Sequence, residues 1–241
     1  MPELLRLDRL TKRFGALKAV DDLTLALNEG EALGVIGPNG AGKTTMFNLI
    51  TGDIRPDTGQ VIFAGADISS APPEKRCHAG IGRSYQIPHP FGGMTVFENV
   101  LVGATFGAGR SEGEAGDDCL DILRRTGLAR HANKLAGTLP LLDRKRLELA
   151  RALATRPKVL LLDEIAGGLT EHEVRDLIET IRDIRARGIS IIWIEHIVHA
   201  LTAVVDRLAV VVFGKLLQEG NPAEVMASPA VQETYMGIAV E

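Results

Sequence analysis

The stretch Gly37-Pro38-Asn39-Gly40-Ala41-Gly42-Lys43-Thr44-Thr45 constrains this chain more than any other. It fits the phosphate-binding pattern G-x-x-x-x-G-K-[ST], with Gly37, Gly42, Lys43 and Thr44 in the fixed places. Glycines let the backbone curl until successive N–H groups face phosphate oxygens. Lys43 is placed to reach β- and γ-phosphates, and the Thr44 hydroxyl is a ligand for Mg²⁺. The flanks agree with the motif. Glu31 to Ile36 is a short apolar run of strand type, and Thr45 to Ile50 has helical spacing with Gly52 as its stop. The following helix aims its positive end at the same anion.

The chain has 241 residues, 45% of them hydrophobic, which suits one large domain or two closely joined subdomains. A net charge of -4 with 24% charged residues gives no sign of a nucleic-acid binder. Cys77 and Cys119 lie far apart with no C-x-x-C, a usage that fits a reducing cytosol and argues against a disulfide frame or a zinc site. The start, Met1-Pro-Glu-Leu-Leu, lacks the basic and apolar regions of a signal peptide. The apolar region from Ile189 to Val205 is interrupted by Glu195, His196 and His199, so no membrane span is expected.

Leu4 to Phe14 and Ala19 to Leu27 read as β-rich, with period-two alternation in Leu23 to Leu27. Gln60 to Ala64 is a further short strand. Thr95, followed by Glu98, marks the capped start of a helix over 96–103. Gly107 to Gly116 reads as an exposed, mobile loop. Helical spacing covers Cys119 to Thr126 and Asp143 to Ala154, so residues 93–154 form a helical insert. Sheet texture returns at Val159 to Leu162, Ile189 to Ile194 and Leu208 to Phe213, with a helix over Glu171 to Arg187. Strand–helix–strand spacing of this length indicates parallel βαβ units. Pro222 to Met236 reads as two short helices.

Val159-Leu-Leu-Leu-Asp163-Glu164 is an apolar strand ending in two carboxylates. Such a strand delivers Asp163 to the sheet edge, where it can hold a Mg²⁺ shell, and leaves Glu164 to orient or deprotonate water. His196, after Trp193-Ile-Glu, suits contact with a γ-phosphate. The amide of Gln86, in Ile81-Gly-Arg-Ser-Tyr-Gln86, suits the metal or the water. The run Arg144-Lys145-Arg146 reads as a solvated helix face.

These elements, in this order and over nearly the whole chain, resemble the ATPase subunits of ABC transporters. The resemblance implies an α/β P-loop fold with a parallel-sheet nucleotide-binding core, an antiparallel β subdomain and an inserted helical subdomain. The core would be 1–92 and 155–241, and the insert 93–154. It implies ATP and Mg²⁺ as cofactors, with Pro38, Asn39, Gly40, Ala41 and Thr45 joining Gly37, Gly42, Lys43 and Thr44 around the phosphates. The metal would rest on Thr44, Gln86 and, through water, Asp163. It implies Phe14 as the aromatic against adenine, Gln86 in a hinge loop touching the permease, and Glu164 and His196 as the catalytic pair. Gly82 to Phe91 with Met94 to Val100, Trp193 to Val198, and Gly220 to Val225 through Tyr235-Met-Gly237 look like the branched-chain amino acid importers. Urea and amide importers share that texture. Partners implied are transmembrane permease subunits, a second ATPase subunit and, indirectly, an extracytoplasmic solute-binding protein, at the cytoplasmic face of the inner membrane. A DNA-repair or ribosome-acting ATPase of the superfamily would need a coiled coil or a second ATPase unit, and neither is visible.

One segment departs from the family. Where its signature is close to L-S-G-G-Q, this chain has Leu139-Pro140-Leu141-Leu142-Asp143. Pro140 brings no N–H and no hydroxyl, Leu141 and Leu142 bring bulk, and Asp143 would oppose phosphate if it pointed at it. Ile165 and Thr170 also replace the family's usual residues after the acids. Retention of Glu164 and His196 favours a heterodimer over a homodimer. The alternatives are a catalytically weak regulatory subunit, or a backbone shift that tolerates the leucines.

Overall fold

The computed structural model describes residues 2–236, with the side chains of Tyr235 and Met236 left aside. Gly237, the end of the Tyr235-Met-Gly237 stretch, lies outside the described residues. In chain order, β1 (Glu3–Phe14), β2 (Leu17–Asn28), β3 (Ala32–Ile36), α1 (Lys43–Thr51), β4 (Thr58–Phe63) and β5 (Ala66–Asp67) come first. Then come α2 (Pro73–Ala79), β6 (Ile81–Ser84), α3 (Val96–Val102), α4 (Glu112–Arg125), α5 (Leu141–Ala154), β7 (Val159–Asp163) and α6 (Glu171–Ala186). The last are β8 (Ser190–Ile194), α7 (Val198–Thr202), β9 (Arg207–Val212), β10 (Lys215–Gly220), α8 (Pro222–Ala227) and α9 (Pro229–Met236). The chain forms two compact units, one of residues up to Pro73 together with Ser190 onward, the other Glu74–Ile189.

In the first unit, β2-β1-β4-β5 make an antiparallel sheet. Its alternation is the one read from the sequence: Leu23, Leu25 and Leu27 are buried while Thr24 is exposed. Leu7 faces Leu25 on one neighbour and Val61 on the other, so one face is leucine-rich. The strand run β10-β9-β3-β8 is different in kind. β3 pairs in parallel with both β8 and β9, and every residue of β3 and β8 is buried. Strands covered on both faces carry continuous apolar runs rather than alternation. A polar frame anchors the start of β3. Ser190 Oγ accepts from Gly30 N at 2.8 Å and Asp206 Oδ2 from Ala32 N at 3.0 Å. Arg207 Nε reaches Glu31 Oε1 at 2.7 Å.

In the second unit, β6 and β7 pair in parallel, with Arg83 opposite Leu161 and Ser84 opposite Leu162. α3 starts with the expected capping box: Thr95 Oγ1 accepts from Glu98 N at 3.1 Å, and Thr95 N donates to Glu98 Oε2 at 2.6 Å. A π-helical turn over Gly103–Gly107 continues it. The expected loop over 107–116 is corrected in its second half. Helix α4 already begins at Glu112, because Ser111 and Glu114 close a second capping box that outweighs the low helix propensity of Gly113 and Gly116. α6 has a third box, Thr170 with Glu173, and buries Val174, Leu177, Ile178, Ile181 and Ile184 on one stripe. Strands β5 and β10 and helices α2 and α7 were not marked by any sequence pattern used above.

Replacing Thr95 by Ala is expected to remove about 1 kcal/mol of stability, measured as a lower urea midpoint at unchanged slope. The bonds from Thr95 N and its hydroxyl hold the Glu98 carboxyl below its ordinary range. A depressed folded value means the cap's contribution is complete above the unfolded value of about 4.3 and is lost as pH falls through the lower folded value. The gap between parent and Thr95→Ala should therefore narrow in acid.

Candidate nucleotide site

The phosphate-type loop lies in the first unit, between the buried strand β3 and helix α1. Its two outer glycines are required for different reasons. At Gly37 a Cβ would stand 2.0 Å from the Val211 carbonyl oxygen, so β9 approaches too closely for any side chain. Gly42 takes φ +100, and a Cβ there would also meet the Ala19 carbonyl oxygen at 2.1 Å. Gly42 is therefore required by torsion and by close approach, Gly37 by close approach. Lys43 is buried, and its Nζ donates to Gly37 O at 2.6 Å and Pro38 O at 3.0 Å. The ammonium thus ties the loop from inside. Asn39, Gly40 and Thr44 are exposed, Pro38 and Thr45 are half-buried, and Ala41 is buried with its N–H on Pro38 O at 3.2 Å.

Two further expected residues belong to this unit. Phe14 ends β1 and is 51% exposed, with the Lys12 ammonium 5.8 Å from its ring centre. An aromatic ring presented to solvent beside a cation can stack on a planar base. His196 follows β8 and is exposed, its N–H donating to the carboxylate of the buried Glu195 at 3.0 Å.

The acidic residues lie in the second unit. Asp163, 3% exposed at the end of β7, accepts from Arg83 NH2 at 2.8 Å on the neighbouring strand β6. A buried carboxylate needs such compensation. Glu164 is half-buried and has φ +47, a left-handed conformation costing a non-glycine residue about 1–2 kcal/mol. Strain of this kind collects at functional positions. The Gln86 amide Nε2 meets Glu164 Oε2 at 2.5 Å, so two of the expected residues are in direct contact. The donor atoms expected for a metal, a Thr44 hydroxyl, a Gln86 amide carbonyl and an Asp163 carboxylate, are all hard oxygens, which is the set a magnesium ion takes. By chemical type each of these donors suits the ion; Thr44 belongs to the first unit, Gln86 and Asp163 to the second.

The altered segment takes a definite form. Helix α5 starts at Leu141 with Pro140 as N-cap and no side-chain cap. Leu141 is exposed. Asp143 is buried, with His131 Nε2 at 3.3 Å and Arg146 NH1 at 3.6 Å, so its charge is spent inside the unit. The expectation of a solvated face over Arg144-Lys145-Arg146 is corrected: only Arg144 is exposed. Lys145 is 6% exposed, with Nζ 2.5 Å from Gly167 O and 3.5 Å from Glu164 O. Arg146 is half-buried and also meets Asp176 at 3.5 Å. Sequence reasoning gave no role to Arg83 or Lys145. Arg83 sits inside the quoted stretch Gly82 to Phe91, yet its partner is 80 positions away. Lys145 was hidden in a run of like charges, and only the burial of its stem separates it from its neighbours.

Comparison with known proteins follows the same line. The ABC transporter family model matches residues 20–167. The chain is 37% identical over 251 aligned positions to the high-affinity branched-chain amino acid transport ATP-binding protein LivG of Salmonella typhimurium, covering 98% of both chains. It is 36% identical to the corresponding protein BraF of Pseudomonas aeruginosa, again over 98% of both. The lipopolysaccharide export system ATP-binding protein LptB of Haemophilus influenzae is 33% identical over 97% of both. Among solved structures, an ATP-binding cassette of an ABC transporter in its ADP conformation superposes with a TM-score of 0.90 at 32% identity, covering 99% of this chain and 100% of that one. A nucleotide-free cassette gives 0.88 at 32% identity, covering 96% and 98%. Motif, fold and likeness over the full length agree, and the chain belongs to the ABC transporter family as one of its ATP-binding, ATP-hydrolysing subunits.

Proposed function

We propose that this chain energises uptake of branched-chain or related amino acids, as a peripheral subunit at the cytoplasmic face of the inner membrane. The observation that carries this reading is likeness over 98% of the chain to transport ATP-binding proteins named for branched-chain amino acids. Among the described residues no helix is long and apolar enough to cross a membrane, so translocation would fall to separate permease subunits. Segment 93–154 would act as the inserted helical subdomain of a core formed by 1–92 and 155–241. The stretch from Gln86 to Asn99 would meet the permease, and an extracytoplasmic binding protein would deliver the solute.

The roles follow from the chemistry of each group. Gly37 to Thr45 would wrap the phosphates with main-chain N–H groups, and Lys43 would exchange its two loop carbonyls for β- and γ-phosphate oxygens. Phe14 would stack on adenine. Thr44 and Gln86 would hold Mg²⁺, with Asp163 reaching it through water. When bound, the ion draws charge from the phosphate oxygens. Glu164 would take a proton from the attacking water, and His196 would donate to the γ-phosphate. In the state described here Glu164 is engaged by Gln86. Release of that contact would free the base at the loop that meets the permease, which supports a coupling role for Gln86.

The altered signature bears on the second ATPase subunit. Pro140 offers no donor and Asp143 is turned to His131 and Arg146, so the start of α5 would offer a phosphate on an opposite subunit its main-chain N–H groups and dipole but no serine hydroxyl. This favours a heterodimer, in which a partner with an intact signature serves the nucleotide held by this chain. The same observation favours a second reading, a regulatory subunit with little catalysis of its own.

Glu164→Gln is expected to retain ATP binding and to abolish turnover in the assembled transporter. Unchanged turnover would remove the role given to Glu164. Purification from native membranes should yield permeases and a second, different ATPase; a single ATPase species would contradict the heterodimer. Changing Pro140, Leu141 and Leu142 together to Ser, Gly and Gly should raise turnover at the site facing them severalfold. No increase would count against a defective signature. Radiolabelled leucine uptake by vesicles containing the complex decides the solute class and the direction.

A further inference from the structure

Three adjacent cations open helix α5, and they diverge. Arg144 donates to Leu139 O at 2.7 Å and Gly137 O at 3.0 Å. Arg146 meets Asp143 and Asp176. Lys145 alone of the three is turned to the main chain that follows β7, with Gly167 O at 2.5 Å and Glu164 O at 3.5 Å. Both carbonyls belong to the turn that follows Asp163, a turn closed by Gly167 N on Glu164 O at 3.3 Å.

A buried ammonium is retained only where its charge is compensated. Here two carbonyl dipoles of one turn contribute to that compensation. The contact also acts in the other direction. Glu164 is held at φ +47, a conformation that persists only when its surroundings over-determine it. The ammonium bonds Gly167 O at 2.5 Å and lies 3.5 Å from Glu164 O, so it restrains the turn at its far end and the Glu164 peptide through it. With the backbone fixed, the Cα–Cβ bond that carries the carboxylate leaves in one direction. Displacement of a reacting group by about 1 Å can cost on the order of 100-fold in rate.

We propose that Lys145 is a positioning residue for Glu164. From the helix that follows the altered signature it pins the turn 164–167 of its own chain and so aims the carboxylate that activates water. The proposal rests on the reading of Glu164 as general base. In this role Lys145 acts through the turn and not on the reacting atoms. Because the contact is within one chain, it operates whichever subunit supplies the opposite signature.

The test uses the full chain co-expressed with its transporter partners, carrying Lys145→Gln, Lys145→Met or Lys145→Arg. Gln and Met are expected to lower kcat about tenfold to 100-fold while KM for ATP stays within about twofold, since the phosphate loop belongs to the other unit. Arg keeps the charge and should recover most of kcat. Hydrogen exchange at the amides of residues 165–169 should quicken in step with the loss of kcat. Leu149→Ala, buried in the same helix, supplies the control for lost stability alone and should keep the parent kcat wherever it remains folded. The proposal is overturned if Lys145→Gln loses no more kcat than Leu149→Ala, or if KM rises as far as kcat falls. It is also overturned by any folded variant at 145 in which loop protection and kcat part company. The Arg variant keeps that comparison open should the neutral ones fail to fold. Turnover that survives Glu164→Gln takes away the reading beneath the proposal, and both fall. Turnover lost in Glu164→Gln but kept in Lys145→Gln overturns this inference alone.

Discussion

The carbonyl oxygen of Val211 stands where a side chain on residue 37 would begin, 2.0 Å from the position of its Cβ. That approach exists because β3 is packed between β8 and β9 with every residue buried. A strand held on both edges and both faces leaves its sheet at one place and in one direction. The loop after it then has to turn at once, over the Ala19 carbonyl at Gly42, into a helix whose first residue sends its ammonium back into the loop. The anion-binding geometry is thus a consequence of how tightly one short strand is enclosed.

The second unit solves a different problem, that of holding charge in an apolar setting. β7, the apolar run Val159-Leu-Leu-Leu, ends in Asp163 and is followed at once by Glu164. Each acquires a partner from the β6 end: Arg83 for Asp163 and Gln86 for Glu164. Lys145 adds a cation beneath the turn that follows. A buried charge without compensation is expensive, and leaving only one partner of such a pair is worse than having neither. Arg83, Gln86 and Lys145 are therefore part of how the two acids and the turn after them are held.

The departure from the family signature takes on a physical form in this light. Asp143 is buried inside its own unit, with the Arg146 guanidinium and the His131 ring beside it. The same change supports both the heterodimer and the regulatory reading, since each needs this helix end to be a poor phosphate ligand.

Sequence alone determined the features that depend on neighbours three or four positions apart, or on a fixed motif. The strand–glycine loop–helix order, the capping box at Thr95 and Glu98, the alternation of Leu23 to Leu27 and the acidic end of an apolar strand are of this kind. Their physics is local: a cap is closed by its own first turn, and a period of two or 3.6 names the buried face. The boxes at Ser111 and Thr170 have the same local spacing, the former inside a Gly-, Ser- and Glu-rich stretch whose composition reads as a loop. Tertiary structure decided the rest. That Lys145 is buried while Arg144 is exposed, that Arg83 meets an acid 80 positions away, and that Gly37 is required by a neighbour rather than by its own torsion all depend on which distant backbone comes close. No local pattern encodes that approach, because it is set by the packing of strands whose sequence separation exceeds any turn or helix.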